Sequence, residues 1–132
     1  MMSSFSDLIV YLSNAPLHDP CTTIGGTTTC GRPLAKLRPG DVLVSWNNVG
    51  FPHVGPEIPH PNTTIGGQPA DLEATRPGDG MCTSLGQDET VTADIARPQG
   101  NHYEMVACLR GPNLARNEAL VRQMLASTRV TG

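Results

Sequence analysis

The sequence has few positive charges and no cluster of them. Only one of its nine Lys and Arg residues is a lysine, and the net charge at pH 7 is −3. Phosphate backbones and anionic membrane surfaces are bound through clustered Lys and Arg. The composition therefore predicts that nucleic acid is not a partner of this chain.

Long apolar runs are also missing. No stretch approaches the roughly 20 apolar residues that cross a bilayer, so no membrane span is expected. The longest early run, residues 8–12, follows Asp7 and has no basic flank, which does not fit a signal peptide. We expect it to form a first strand, with any leader or anchor upstream of this chain.

Catalytic signatures are absent as well. No serine lies in a Gly-x-Ser-x-Gly elbow, and no phosphate-binding glycine loop with a lysine is present. His18 and Asp19 can form a pair that orients an imidazole for base catalysis, but adjacent residues of this kind more often cap a turn. The sequence favours a non-enzymatic protein without a cofactor.

Aromatic residues are scarce, whereas glycine and proline are abundant. The chain of 132 residues has five aromatic residues, 14 glycines and 12 prolines. Its length fits one domain over residues 1–132 with a single core. That core has to be built mainly from aliphatic side chains, and the glycine and proline content predicts many loops and turns.

The four cysteines indicate the compartment. Cys21 and Cys30 flank a polar Thr- and Gly-rich segment, and Cys82 and Cys108 remain for each other. An even count in a loop-rich chain favours two disulfides and an extracytoplasmic location, either secreted or anchored to the cell surface. The alternatives are four reduced thiols, with Cys108 a small core residue, or a zinc site, which normally needs closer Cys spacing.

Alternation and helical periodicity predict an α+β fold. Strands are expected over residues 6–12, 41–46, 68–75, 90–96 and 103–109, and helices over 33–38 and 113–128. In the second helix an apolar stripe runs along one side, with Leu120 at its edge. We expect an antiparallel sheet packed on one face against this C-terminal helix. The other sheet face is expected to be solvated or covered by loops.

The five residues TTIGG occur twice, within CTTIGG at residues 21–26 and NTTIGG at 62–67. The residues that follow the two copies do not resemble each other, which argues against a tandem repeat. Thr-Thr-Ile favours extended backbone, and Gly-Gly permits angles that other residues resist. We interpret both copies as places where the chain changes direction.

Residues 47–67 contain four prolines and are predicted to form a long surface loop. Trp46 and Phe51 lie near its mouth and can make an aromatic contact with a ligand or a protein, although a core tryptophan at the end of its strand is the commoner arrangement. Loops on a rigid sheet often carry recognition. This loop is therefore the predicted binding region.

The same loop contains His53, Glu57 and His60 within HVGPEIPH. Imidazole and carboxylate groups suit zinc or copper, but the prolines prevent a regular helix from aligning the three side chains. Solvated loop residues are the commoner interpretation. A metal-binding or enzymatic centre at these residues is kept as an alternative function.

Several sequence segments resemble those of a known group of proteins. They are DLIVYLSNAPLHDPC (7–21), PGDVLVSW (39–46), IGGQPA (65–70), DETVTADIARP (88–98) and YEMVACLRGPNLARNEALVRQML (103–125). Together they resemble a group of uncharacterised actinobacterial proteins with an extracytoplasmic or membrane-anchored domain. The closing strand pair and helix are also similar to the PsbP-like α/β/α sandwich of small accessory proteins and bacterial lipoproteins. The resemblance implies a location rather than an activity.

These features lead to three functional hypotheses. The first is a non-enzymatic binding or accessory domain for an unknown protein or small-molecule ligand. The second is the metal-binding or enzymatic alternative. The third is a self-assembling structural subunit, because an exposed sheet edge can pair with another copy. The sequence leaves the ligand and the oligomeric state open.

Overall fold

The computed structural model describes residues 5–14, 16–17, 21–30, 34, 36–50, 58, 60–75, 82, 85–97 and 102–129. Within these residues the elements are β1 Phe5–Ser13, β2 Cys21–Ile24, β3 Thr27–Cys30, β4 Val42–Gly50, β5 Thr63–Ile65, β6 Gln68–Thr75, β7 Glu89–Ala96, β8 His102–Leu109 and α1 Leu114–Ala126. No helix among them is long and apolar enough to span a bilayer.

Six strands form one antiparallel sheet in the order β1-β4-β8-β7-β6-β5. The hairpin of β7 and β8 lies at its centre, with Ile95 opposite Tyr103. The predicted α+β class, with an antiparallel sheet and a C-terminal helix, is confirmed. Strand β1 is at one end of the sheet.

Helix α1 covers one face of the sheet. Its buried residues are Asn117, Val121 and Leu125, which belong to the predicted apolar stripe. Residues at alternate positions of the central strands meet this helix. The buried part of this core consists of Val44, Ile65, Ala70, Val91, Ala93, Ile95, Met105, Ala107, Leu109, Val121 and Leu125. Leu120, at the edge of the stripe, is 54% exposed.

The opposite face is partly covered by residues that lie outside the strands. Leu37 and Leu85 are 0% and 1% exposed and pack on Leu43 and Val106 of the sheet. The backbone N–H of Leu37 donates to the carbonyl of Leu85 at 2.9 Å, which joins the two segments. Of the two expectations for this face, coverage rather than solvation therefore holds where Leu37 and Leu85 meet β4 and β8.

The short helix predicted over residues 33–38 is not formed in the part of that segment that the structure describes. The backbone N–H of Arg38 donates instead to Asp41 Oδ2 at 2.9 Å, and the N–H of Asp41 donates to the carbonyl of Arg38 at 2.9 Å. These bonds close a turn through Gly40, whose φ is 84°. Burial of Leu37 in the second core outweighs a weak helical preference.

The predicted Cys82–Cys108 disulfide is present, with 5.7 Å between the two Cα atoms. Both residues belong to the core opposite the helix. Cys21 stands directly opposite Cys30 in the β2–β3 ladder. Opposite residues of such a ladder have Cα atoms about 4.5 to 5.5 Å apart, which suits a disulfide. The side chain of Cys30 is outside the described structure, so this second bond stays a prediction.

Both copies of Thr-Thr-Ile-Gly-Gly form the first strand and the turn of a two-residue hairpin. Ile24 faces Thr27 in one, and Ile65 faces Gln68 in the other. The glycines have φ values of 58° and 82° at residues 25 and 26, and 61° and 82° at 66 and 67. Two successive left-handed residues match the twist of the flanking strands. The predicted changes of direction are confirmed.

Candidate functional site

The predicted binding loop is described only at its ends. Strand β4 continues past Trp46 to Gly50, so the expectation that Trp46 ends its strand is wrong. Trp46 stands between Val10 and Met105 and is half-buried against the helix-side core. The predicted surface loop over residues 47–67 is wrong at its ends, because residues 47–50 belong to β4 and Thr63–Ile65 form β5. The binding hypothesis stays a prediction, because Phe51 lies outside the described residues.

The alternative metal site also lies mostly outside the described residues. His53 and Glu57 lie outside the described residues, and His60 is exposed. Within the part of the chain that the structure describes, no three His, Cys, Asp or Glu side chains come close enough together to hold a metal ion. A centre at His53, Glu57 and His60 stays a prediction.

An apolar groove runs between the edge strand β1 and helix α1. Its volume is about 260 Å³, and its lining contains no charged residue. Leu12 forms one wall and is 45% exposed, whereas Leu120, on the other wall, is 54% exposed. The residues that line it are Leu12, Ser13, Asn14, Val42, Val44, Asn117, Leu120, Val121 and Met124. We call this feature the β1–α1 groove.

Two asparagines close one end of the groove. The Asn14 carboxamide accepts from the backbone N–H of Val42 at 2.9 Å and donates to the carbonyl of Gly40 at 3.0 Å. Asn117 also donates to the carbonyl of Gly40, at 3.2 Å. The Asn14 side chain thereby continues the β1–β4 ladder past the end of β1. These bonds tie the edge strand, β4 and the helix together.

Among the described strands, only β4 pairs with β1. Val42 directs its backbone groups toward β1, because its N–H donates to Asn14 and its carbonyl accepts from Ser13 Oγ. This direction alternates along an antiparallel strand, so Val44 and Trp46 also face β1. Their partners Leu12 and Val10 face β4 in return. The backbone groups of Tyr11, which lies between Val10 and Leu12, therefore face away from β4.

A register shift between Leu8 and Val10 marks a β-bulge in β1. Before it, Asp7 pairs with Asn48 and Phe5 pairs with Gly50. These two residues face β4, because the alternation along β4 continues. The outward-facing backbone groups in this half of the strand therefore belong to Ser6 and Leu8. Within the described residues, no strand pairs with this edge.

A row of carboxylates crosses the sheet on the face opposite the helix. Asp71 of β6 stands opposite Asp94 of β7, and Asp94 stands opposite Glu104 of β8. His102 Nε2 is 3.7 Å from Asp94 Oδ1. Like charges at directly opposite positions destabilise a sheet. This face therefore carries an electrostatic cost at neutral pH.

The pKa values of two of these carboxyls reflect that cost. Burial raises the pKa of Asp94 above 3.8; His102 lowers it in part, and Asp71 and Glu73 raise it further. Burial and the Asp94 charge raise the pKa of Glu104 above 4.5. The folded state therefore binds protons at these groups more readily than the unfolded chain does. Their contribution to stability falls as the pH rises through the raised pKa values.

Replacing Asp71 by Asn is expected to stabilise the protein by about 0.2 to 1 kcal/mol at pH 7, because it removes one of two directly opposed like-charge pairs. The gain should shrink as the pH falls and the neighbouring carboxyls become protonated. Urea unfolding of both proteins at pH 7 and pH 4 measures it.

Glu118→Gln is the matched control for Asp71→Asn. It removes the same charge, but from a carboxylate that accepts from Arg122 at 2.8 Å. It should lower stability slightly or leave it unchanged. Equal stabilisation by both variants would show that net charge, rather than the row, sets the effect.

The β2–β3 hairpin carries a third exposed surface. The described side chains of both strands are exposed, and Ile24 at the tip is 76% exposed. Thr23 and Thr28 share a hydroxyl hydrogen bond of 2.8 Å across the two strands. Ile24 is an exposed apolar residue that does not line the β1–α1 groove. It is therefore a control position for substitutions in the groove.

Reasoning from the sequence missed the groove. It placed Leu120 at the edge of the helical stripe and predicted the first strand, but no local pattern shows that these two elements are neighbours. Comparison with models of known protein families, with characterised proteins and with solved structures found no match. The function has to be inferred from the chain's own geometry.

Proposed function

We propose that this chain is a non-enzymatic, extracytoplasmic binding domain that takes up an extended polypeptide segment along β1. The observation that carries the proposal is that β1, with which no described strand pairs on its outer side, lies directly beside the apolar β1–α1 groove. The first feature supplies backbone hydrogen-bonding groups, and the second supplies a place for side chains. Together they provide what strand addition requires.

The position of the groove fits a strand-like ligand. Alternate residues of an added strand point to the same sheet face. The side chains of the added strand that point to the helix side would contact Val10, Leu12 and the exposed side of Leu120. Val10 and Leu12 are 39% and 45% exposed. Backbone pairing gives affinity, and the side chains in the groove give selectivity for apolar residues at alternate positions.

The size of the groove favours a polypeptide over a small molecule. Sites for small molecules usually occupy about 300 to 1,000 Å³, whereas this groove has about 260 Å³. A strand needs only enough room for one or two side chains, since its backbone binds outside the groove. The absence of charge in the lining further favours apolar side chains.

The Cys82–Cys108 disulfide supports the extracytoplasmic part of the proposal. Disulfides persist in oxidising compartments and are rare in the reducing cytosol. This one joins β8 to a segment that covers the sheet face opposite the groove. It stabilises the rigid sheet on which the edge strand is carried.

Peptide display tests the binding proposal. A random library of ten-residue peptides, selected on the folded protein, is expected to yield extended sequences with apolar residues at alternate positions. Their affinity should fall at least tenfold, or about 1.4 kcal/mol, on the Leu120→Lys variant. The Ile24→Lys variant, changed on the β2–β3 hairpin, should bind them as the original protein does.

Two outcomes would contradict the proposal. One is selection of peptides that bind the Leu120→Lys variant unchanged. The other is selection of peptides that lose affinity only on Ile24→Lys, which would place the binding surface on the hairpin. Amide shifts in NMR spectra provide the direct location, because the backbone N–H of Tyr11 should respond to peptide binding.

A further inference from the structure

We infer that the β1–α1 groove receives a tyrosine side chain of the added strand, and that Asn117 selects it. The inference rests on the proposed function, since it names the residue that an extended peptide places in the groove. The helix contributes Asn117, Leu120, Val121 and Met124 to the lining. Asn117 is the polar member of this wall, and its Oδ1 atom carries the inference.

The orientation of the Asn117 carboxamide is determined by its neighbour. Its Nδ2 donates to the carbonyl of Gly40 at 3.2 Å. A backbone carbonyl can only accept, so the group that faces it has to be the amide nitrogen. Oδ1 therefore points away from Gly40 and takes no part in this bond.

Asn117 Oδ1 accepts no hydrogen bond within the described residues. Asn117 is 8% exposed, and buried polar groups normally have hydrogen-bond partners. Asn14, at the same end of the groove, differs because its Oδ1 accepts from Val42 and its amide donates to Gly40. Asn117 thus provides the groove with an acceptor that a ligand can use.

The size of the groove suits one aromatic ring. An apolar cavity of about 150 Å³ is enough to bind benzene in another protein, and this groove has about 260 Å³. Leu12 and Leu120 supply apolar surface from the two walls. Met124 also lines the groove, and its thioether makes favourable contacts with aromatic rings.

Among the natural side chains, tyrosine fits this combination best. Its hydroxyl lies at the end of an apolar ring and brings one donor for Asn117 Oδ1. Lysine or arginine would bury a charge against a lining without charged residues. Glutamine would bring further polar groups that need partners of their own. Phenylalanine fills the same space but leaves the acceptor without a donor.

The position of the tyrosine in the ligand follows from the strand geometry. Leu12 lines the groove, whereas Val10, on the same face of β1, does not. The tyrosine therefore lies beside Leu12. Alternate residues of a strand point to the same face, so the ligand residue two positions away lies beside Val10 and should be apolar. The expected ligand has a tyrosine and an apolar residue two positions apart.

The selected ten-residue peptides test the inference. Tyrosine should be enriched two positions from an apolar residue, and its replacement by phenylalanine should weaken binding by about three- to tenfold, the effect of one neutral hydrogen bond. Asn117→Leu keeps a similar shape without the acceptor, so both peptides should bind it equally. The tyrosine preference should persist on Gln123→Leu, an exposed position of the same helix that does not line the groove.

Small phenols test the same site without a peptide and without a variant. 4-Methylphenol and toluene reproduce the side chains of tyrosine and phenylalanine. In NMR titrations of the unmodified protein, 4-methylphenol should shift the side-chain amide signals of Asn117 and the methyl signals of Leu12 and Leu120. It should bind about three- to tenfold more tightly than toluene. This comparison decides the matter should Asn117→Leu not fold.

The two proposals fail separately. Selected peptides without enriched tyrosine, or with equal affinity after its replacement by phenylalanine, overturn the tyrosine site. If they still depend on Leu120, the binding function stands. A phenylalanine penalty that persists on Asn117→Leu also overturns the inference, because the acceptor would lie elsewhere. Peptides that bind Leu120→Lys unchanged overturn the proposed function itself.

Discussion

Removal of the Cys82–Cys108 disulfide is expected to lower the free energy of unfolding by about 3.5 kcal/mol, the loss of constraint on the unfolded chain for a loop of this length. The two cysteines are 26 residues apart, and they are 0% and 6% exposed. Replacement by Ala also removes two sulfur atoms from the core opposite the helix. The midpoint of thermal unfolding should fall by roughly 10 to 15 °C.

Urea unfolding of the Cys82→Ala/Cys108→Ala variant, compared with the unmodified protein, measures this effect. An unchanged unfolding midpoint would show that the bond does not contribute to stability and would weaken the extracytoplasmic proposal. Reductant gives an internal control. Any further loss that it causes in the double variant reports on Cys21 and Cys30, and so tests the second predicted disulfide.

The elements that could be predicted from sequence are those that bury one face. In β7, Val91, Ala93 and Ile95 are all 0% exposed, and they alternate with Thr92 and Asp94, which are half-buried. The helix shows its apolar stripe for the same reason. Burial on one side imposes a period on the residues, and the period can be read without the structure.

The strands that were missed have no such period. Both strands of the β2–β3 hairpin are exposed where their side chains are described, so nothing selects apolar residues at every second position. The short strand β5 is similar, with only Ile65 buried. The informative signal was Gly-Gly after Thr-Thr-Ile, since two successive glycines are typical of a two-residue hairpin. It predicted the turns, but β2, β3 and β5 were assigned to loops, whereas β6 was predicted correctly as a strand.

The candidate site could not be predicted because it depends on strand order. The sequence predicts β1 and α1 separately, but β1 becomes an edge only because β4 pairs with it on one side and no described strand pairs on the other. The bulge between Leu8 and Val10 leaves no mark in the residue pattern. Tertiary pairing, rather than local preference, places β1 at the end of the described sheet and beside α1.

Leu37→Ala is expected to destabilise the protein by about 2 to 5 kcal/mol, the usual cost of truncating a buried leucine. Leu37 is 0% exposed and covers the sheet face opposite α1 together with Leu85. Its backbone N–H donates to the carbonyl of Leu85 at 2.9 Å, and its carbonyl accepts from Arg110 Nη1 at 2.6 Å. These bonds limit how far the segment can collapse into a cavity.

Lys36→Ala is the matched control, because the neighbouring Lys36 is exposed and its truncation should change stability by less than about 0.5 kcal/mol. Chemical unfolding of both variants gives the comparison, and a Leu37→Ala cost below that of Lys36→Ala would contradict the second core. The groove lies on the other sheet face. Any Leu37→Ala protein that remains folded should therefore still bind the selected peptides, because Leu37 does not line the groove.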